Sequence, residues 1–234
     1  MICKADLHIH SCLSPCGSLE MSPSLIARQA FEKGLQAAAL TDHNSALNCR
    51  AFAECCRQYN ILPIYGLEVT SSEEAHIVCL FETIDAAETF GEIIYAALPD
   101  IPNNPEKFGD QVYVDAEDNI LGEVDKHLVT AVEMNLDEIY EAVAGLAGMF
   151  IPAHIDKPLF SIPSQLGFLP DMKYTALETT SIPCPIDTAD KPLIMNSDAH
   201  YPDDIAGRTS LYEVDEVSYQ GIRTAIINKR IDFI

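Results

Sequence analysis

The sequence predicts an α/β protein, with parallel strands joined by helical crossovers around one core. Three observations predict it. Short apolar runs alternate with segments of helical periodicity, the signature of parallel strands and crossovers. The runs are apolar on both alternating positions, as strands buried on both faces are. The chain has 234 residues, 48% of them hydrophobic. That is enough for one sizeable core and within the range of single-domain strand–helix barrels. Residues 1–234 are therefore expected to form a single domain.

The elements follow in order. "MICKADLH" is the first strand. "SPSLIARQAFEKG" has helical spacing and a plausible stop at Gly34. "LQAAALTDH" is a short apolar strand and "SALNCRAFAECCRQYN" a helix. "ILPIYGLEVT" and "AHIVCLFET" carry the β-branched and aromatic residues of strands, and "AAETFGEIIYAAL" returns to helix. After an interruption come the helix "LDEIYEAVAGLAG" and the strands "GMFIPAHID", "YTALETT", "PLIMNSDAH" and "TSLYEV". "SYQGIRTAIINKR" closes the chain as a helix. The interruption, residues 98–130, is rich in Pro, Asn and acids. "QVYVDAEDNILGEV" within it reads as two short strands around an Asp-Asn turn, an inserted hairpin or lid over the barrel mouth.

Charge and cysteine usage narrow the partners. Thirty-six acids against 14 bases leave a formal charge of −22, which is expected to repel nucleic acid and anionic membrane surfaces unless metal or a local patch offsets it. The eight cysteines are irregularly spaced, with no CxxC pair, and the opening residues contain no apolar run of signal-peptide length. The expectation is a cytoplasmic protein with reduced thiols and no membrane span. The oligomeric state is not legible.

The polar residues gather at the strand ends. "DLHIHS" places His8 and His10 at i and i+2, side by side on one face of a strand. Alone they read equally as a metal-binding pair or as satisfied histidines. "TDH" ends a strand with Asp42 and His43, and Asp42 could orient His43 from behind. "GLEVT" carries Glu68, "PAHID" carries His154 and Asp156, and "NSDAH" ends with Asp198 and His200. His76 opens a strand, and only His127, in the insert, stands apart. Taken singly, Glu68 suits a surface carboxylate and His76 a core histidine. In a parallel barrel, though, all strand C-termini open on one face, so residues far apart in sequence converge there. Mixed imidazole and carboxylate ligands suit Zn, Mn or Fe. Six histidines and at least two carboxylates exceed the needs of one ion, which implies two or three.

The ordered motifs "DLHIHS", "TDHN", "GLEVT", "PAHID" and "NSDAH" resemble those of the PHP (polymerase and histidinol phosphatase) superfamily, over residues 6 to about 208. The resemblance implies a distorted (β/α)7 TIM-like barrel with a trinuclear metal centre that hydrolyses phosphoesters. By that resemblance His8, His10, Glu68 and Asp198 hold one metal. Glu68 bridges to a second with His76 and His154, and His43 and His200 hold a third. Glu68, Asp198 and His200 are the implied catalytic residues. One position departs from the pattern: the family's first motif often continues with an Asp or a His, where this chain has Pro15 and Cys16. Cys16 supplies a thiolate ligand there or is an inert loop residue.

The expected activity is hydrolysis of a small phosphate ester by hydroxide activated between the metals, with Arg208 as the phosphate-binding cation. Two other classes stay open: a metal-binding regulatory module without turnover, and a DNA-processing exonuclease. The acidic charge argues against the latter. No GxSxG motif and no Gly-rich phosphate loop offers another route.

Overall fold

The computed structural model describes residues 1–234. Eleven strands and seven helices alternate along it: β1 (Ile2–Ile9), α1 (Pro23–Glu32), β2 (Ala37–Leu40), α2 (Cys49–Gln58), β3 (Leu62–Thr70), β4 (His76–Phe81), α3 (Ile84–Ala97), α4 (Pro105–Phe108), β5 (Val112–Val114), β6 (Ile120–Glu123), α5 (Leu136–Gly145), β7 (Met149–Pro152), α6 (Ile162–Leu166), β8 (Leu177–Glu178), β9 (Leu193–Ile194), β10 (Ser210–Glu213), α7 (Tyr219–Ile227) and β11 (Ile231–Phe233). The main sheet has seven strands in the order β11-β10-β1-β2-β3-β4-β7 and curls into a half-barrel. β8 and β9 form a separate parallel pair. Hydrogen bonds from Thr175 N–H to the Phe150 carbonyl (2.9 Å) and from Ile155 N–H to the Glu178 carbonyl (2.8 Å) tie that pair to β7. A parallel bridge between Ile9 and Ala199 ties the chain after β9 to β1.

The sheet is mixed, where the sequence predicts parallel strands. β1, β2 and β3 are parallel, but β4 runs antiparallel to both β3 and β7. The reason is the short link from Thr70 to His76, which is too brief for a crossover and makes a hairpin. β8 and β9 are also shorter than the apolar runs suggest. Beyond Ile194 side chains replace the ladder: Leu7 N–H donates to Asn196 Oδ1 (2.8 Å), and Ser197 N–H donates to Asp6 Oδ1 (3.0 Å).

The helices match their sequence signals closely. Ser22 caps α1, and Asn135 and Glu138 form a capping box on α5. α2 starts later than the pattern predicts, because Asn48 spends its side chain elsewhere. It donates to Ser11 Oγ (2.9 Å) and accepts from Val114 N–H (2.9 Å). One core cluster lies between sheet and helices, with Ile26, Phe52, Phe90 and Ile139. A second fills the other face of the sheet with Ala5, Leu7, Ile64, Leu80 and Ile151, and packs against Tyr219 and Ile222 of α7.

Residues 98–130 contain the expected hairpin, with Val112 paired to Glu123 and Tyr113 to Gly122. Its tip rests on α1 and α2: Ser24 Oγ donates to Asp118, and Cys55 Sγ to the Ala116 carbonyl (3.5 Å). Its base meets the loop after β1 at Gly109, whose positive φ and 2.5 Å clearance from the Pro15 carbonyl to a built Cβ exclude a side chain. Val124 and Leu128 belong to the main core, so this segment is partly structural.

Candidate metal centre

The site is built by the ends of β1, β2, β3, β7 and β9 and by the start of β4. In β1 the pairing register to β2 shifts between Asp6 and Ile9. Leu7 packs in the second core cluster, whereas Ile9, two residues on, packs in the first, between sheet and helices. This slip in alternation turns His8 and His10 toward the sheet's concave side, and both are fully buried. In the β3–β4 hairpin Glu68 stands opposite Val78 and Thr70 opposite His76. Glu68 and His76 thus share the inner face. His154 and Asp198 follow β7 and β9 in left-handed backbone (φ 31° and 54°). Such conformations are uncommon for non-glycine residues and cluster at functional sites.

Glu68 is the hub. Its Oε1 lies 3.0 Å from His76 Nδ1 and 3.3 Å from both His8 Nε2 and His154 Nε2. Its Oε2 lies 3.2 Å from His10 Nε2 and 3.2 Å from His43 Nδ1. Asp198 Oδ1 lies 3.4 Å from both His8 Nε2 and His10 Nε2. His200 reaches the group from the other side, with Nε2 3.1 Å from Cys16 Sγ and its ring stacked 4.2 Å from that of His10. Three sets of donor atoms are close enough to hold a cation: His8, His10, Glu68 and Asp198; His43, Glu68 and His76; and His10, His43 and His200.

The donor chemistry fits divalent metal. His8 Nδ1 faces Glu178 and His10 Nδ1 faces Ser14 Oγ, yet their Nε2 atoms face each other at 3.1 Å. Ligand atoms each roughly 2.0–2.2 Å from one ion lie about 3.0–3.5 Å apart, the spacing found here. His43 Nδ1, Glu68 Oε1 and His154 Nδ1 are buried without a hydrogen-bond partner, which is costly unless something else satisfies them. Charge balance agrees. Burial opposes ionisation of Glu68, but His76, His8 and His43 outweigh it and hold its pKa well below the carboxylate range. Burial likewise opposes Asp198, and His8 and His10 pull its pKa far down. Burial holds His43 well below its ordinary value and, with His10, brings His200 to about 4. Both imidazoles therefore offer lone pairs at neutral pH. His8 and His10 go the other way. Burial lowers them, but the carboxylates prevail and lift His8 well above its usual value and His10 to about 9. Protons there compensate negative charge that a cation would otherwise balance.

Glu178 went unnoticed in the sequence, and the rule that found the others would have found it: it ends the strand "YTALETT". Both its oxygens lie 3.0 Å from His8 Nδ1. It also accepts from Asn196 Nδ2 (2.8 Å) and His154 N–H (2.9 Å). Asp42 does not orient His43 directly. It accepts from Ser11 and from Ser14 Oγ (2.7 Å), and Ser14 in turn meets His10 Nδ1. Asp156 stays out of the cluster, accepting from Thr180 and Ser181. His127 pairs with Thr130 Oγ1. Arg208, expected to bind phosphate, points away: its guanidinium donates to the Asn196 (3.2 Å) and Ser197 (2.9 Å) carbonyls. The cation at the site is Lys157, whose Nζ lies 2.5 Å from Asp198 Oδ2. Above the cluster opens a cavity of about 470 Å³, walled by Cys16, His43, His76, Val129, His154, Lys157, Pro158, Leu159, Phe160 and His200 among others. Val129 is the one residue of the 98–130 segment in that wall.

Residues 6–156 match the family model of the PHP domain. The chain belongs to the PHP domain family. This PHP domain resembles the lesion-specific endonuclease PfuEndoQ from Pyrococcus furiosus, with a TM-score of 0.69 and 22% identity over 97% of this chain and 56% of that one. It also resembles Endonuclease Q in complex with a 27-mer duplex that carries an abasic lesion at the active site (TM-score 0.68, 23% identity, 97% of this chain and 57% of that one). A two-domain protein from Bacteroides vulgatus, which contains a predicted PHP-like metal-dependent phosphoesterase, gives a TM-score of 0.58 at 18% identity, over 100% of this chain and 65% of that one. The chain spans little more than half the length of the two endonuclease chains. Likeness at this identity speaks to the fold. None of the curated proteins matches the sequence. No helix is long and apolar enough to cross a membrane.

Proposed function

We propose that this PHP domain is a phosphoric ester hydrolase that uses two or three divalent ions, Zn, Mn or Fe, to cleave a small phosphorylated substrate. The observation that carries the proposal is the convergence of six histidines, Glu68 and Asp198 at one cavity: five of the histidines lie 3.0–3.4 Å from these carboxylates, and His200 lies 3.6 Å from Asp198. His8, His10, Glu68 and Asp198 would hold one ion; Glu68, His76 and His154, with His43 beside them, a second; His43, His200 and Cys16 a third. Such ions supply Lewis acidity to a water and to phosphoryl oxygens.

The chain's own residues do the rest. Glu68 would be shared between ions, since its Oε1 faces His8, His76 and His154 and its Oε2 faces His10 and His43. Glu178 fixes the ring of His8, and Ser14 that of His10, so their Nε2 lone pairs point inward. Lys157, at the mouth, offers a positive charge to a phosphoryl oxygen in exchange for Asp198. His200, with its pKa near 4, has no proton to give at neutral pH, which favours a ligand role over that of a general acid. Residues 98–130 belong to this single domain, which we read as a distorted (β/α)7 barrel closed by β8 and β9.

A second reading keeps DNA as substrate, because the fold resembles an endonuclease seen with lesion DNA. The cavity wall holds one lysine, and the formal charge is −22. Both favour a small ester over a polyanion that needs a basic track. The test is phosphate release from a panel of phosphomonoesters beside cleavage of single-stranded and abasic duplex DNA. Turnover of monoesters alone supports the proposal. Cleavage of DNA alone replaces it, and turnover of neither, with metal bound, leaves a regulatory metal module.

A further inference from the structure

We infer that the mouth of the metal centre selects phosphate esters whose alcohol part is flat and apolar, an aromatic ring above all, and that Phe160 and Leu159 are the selecting residues. The inference rests on the phosphoester reading above. Its basis is the segment Pro158-Leu159-Phe160, three consecutive apolar residues that are all exposed. Leu159 is 64% exposed and Phe160 44%. A run of exposed apolar side chains is unfavourable unless something covers it in use. These three line the cavity beside Lys157, with Val129 also in the wall. The apolar shelf and the phosphate-seeking lysine are therefore adjacent along the chain.

The shelf is rigid. Lys157 N–H donates to the His154 carbonyl (2.9 Å), and Ser161 Oγ donates to the Lys157 carbonyl (2.8 Å). Asp156, just before it, is held by Thr180 and Ser181. The Phe160 carbonyl accepts from His76 N–H (2.8 Å). Phe160 itself adopts φ 57°, a left-handed conformation uncommon for an aromatic residue. That conformation lays its ring parallel to His76, centroids 4.8 Å apart and planes 11° from parallel. One part of the ring thus covers an expected metal ligand while the rest faces the opening. Binding on a surface already ordered loses little conformational entropy, and an aromatic face prefers another flat ring.

The test is calorimetric titration of the Zn-loaded protein with phenylphosphonate and methylphosphonate, which share the phosphoryl head and are not hydrolysed. Two variants accompany it. Phe160→Leu keeps bulk and backbone strain but removes the flat face, and Leu159→Ser alters the shelf away from any expected ligand. We expect phenylphosphonate to bind about tenfold more tightly than methylphosphonate. Each variant should cut that ratio to about threefold while methylphosphonate affinity and bound metal stay unchanged. Equal affinities in the unaltered protein, or a ratio that survives both variants, would overturn the inference alone. If neither phosphonate binds the metal-loaded site, the phosphoester reading falls with it.

Discussion

Replacing Glu178 by glutamine changes one buried carboxylate that touches no substrate and lies outside the expected ligand sets. Its two oxygens meet donors on both sides: Asn196 Nδ2 and His8 Nδ1 at one, His154 N–H and His8 Nδ1 at the other. Glutamine has one oxygen, so its amide nitrogen must confront a donor whichever way it turns. An unsatisfied buried donor costs about 1–3 kcal/mol. The second effect is on metal. His8 loses the charged partner that fixes its tautomer and raises its basicity, a change worth about 10–100-fold in affinity. The assay is competition for Zn against a chromogenic chelator, paired with thermal unfolding of the metal-free protein. The account predicts both a weaker site and a Tm lower by roughly 2–4 °C per kcal/mol lost. A variant with lowered Tm but unchanged Zn affinity would refute the reasoning, for it would make Glu178 a structural carboxylate only.

Other outcomes follow from the same geometry. Glu68→Gln should leave the fold intact, lower bound metal and remove most turnover; unchanged rate and stoichiometry would return Glu68 to a bystander. Cys16→Ala should lower the metal count by about one, and metal should shield Cys16 from alkylation, while Cys12, buried beneath Val112 and Val114, stays silent in both states. Equal labelling rates with and without metal would make Cys16 a loop residue. Deleting residues 98–130 should unfold the protein, since Val124 and Leu128 alone contribute about 3–6 kcal/mol by burial. Trimming only the turn between β5 and β6 should be tolerated, which circular dichroism on the two variants would check.

The sequence carried the candidate site further than it carried the fold. Strand-end histidines are legible because the apolar runs are clean and their ends polar. Hence His8, His10, His43, His76, His154, Glu68 and Asp198 could be named together, and they meet around one carboxylate. Glu178, at the end of "YTALETT", obeys the same strand-end rule as Glu68 and was legible on those terms. Lys157 escaped because a lone lysine after "PAHID" carries no metal-ligand signal, and its partner Asp198 lies 41 positions away. Arg208 was chosen on charge alone, which says nothing of the two carbonyls that hold it. The antiparallel β4 was hidden by composition, since His76–Phe81 reads the same in either direction and only the short link to Thr70 decides. Where β9 stops, Asn196 meets Leu7 and Ser197 meets Asp6, pairs almost 200 positions apart whose contacts no local pattern encodes.

The most direct test of the central claim, that this cluster is a multinuclear metal centre made for phosphoester hydrolysis, is to titrate the metal-stripped protein with Zn, Mn or Fe(II). Bound metal per chain and the initial rate of phosphate release from phenyl phosphate would be recorded at each step. The account predicts no turnover without metal and a rate that rises with occupancy, to a plateau at about two or three ions per chain. Full turnover in the stripped protein would contradict it, as would saturation of the site with no hydrolysis of any phosphate ester.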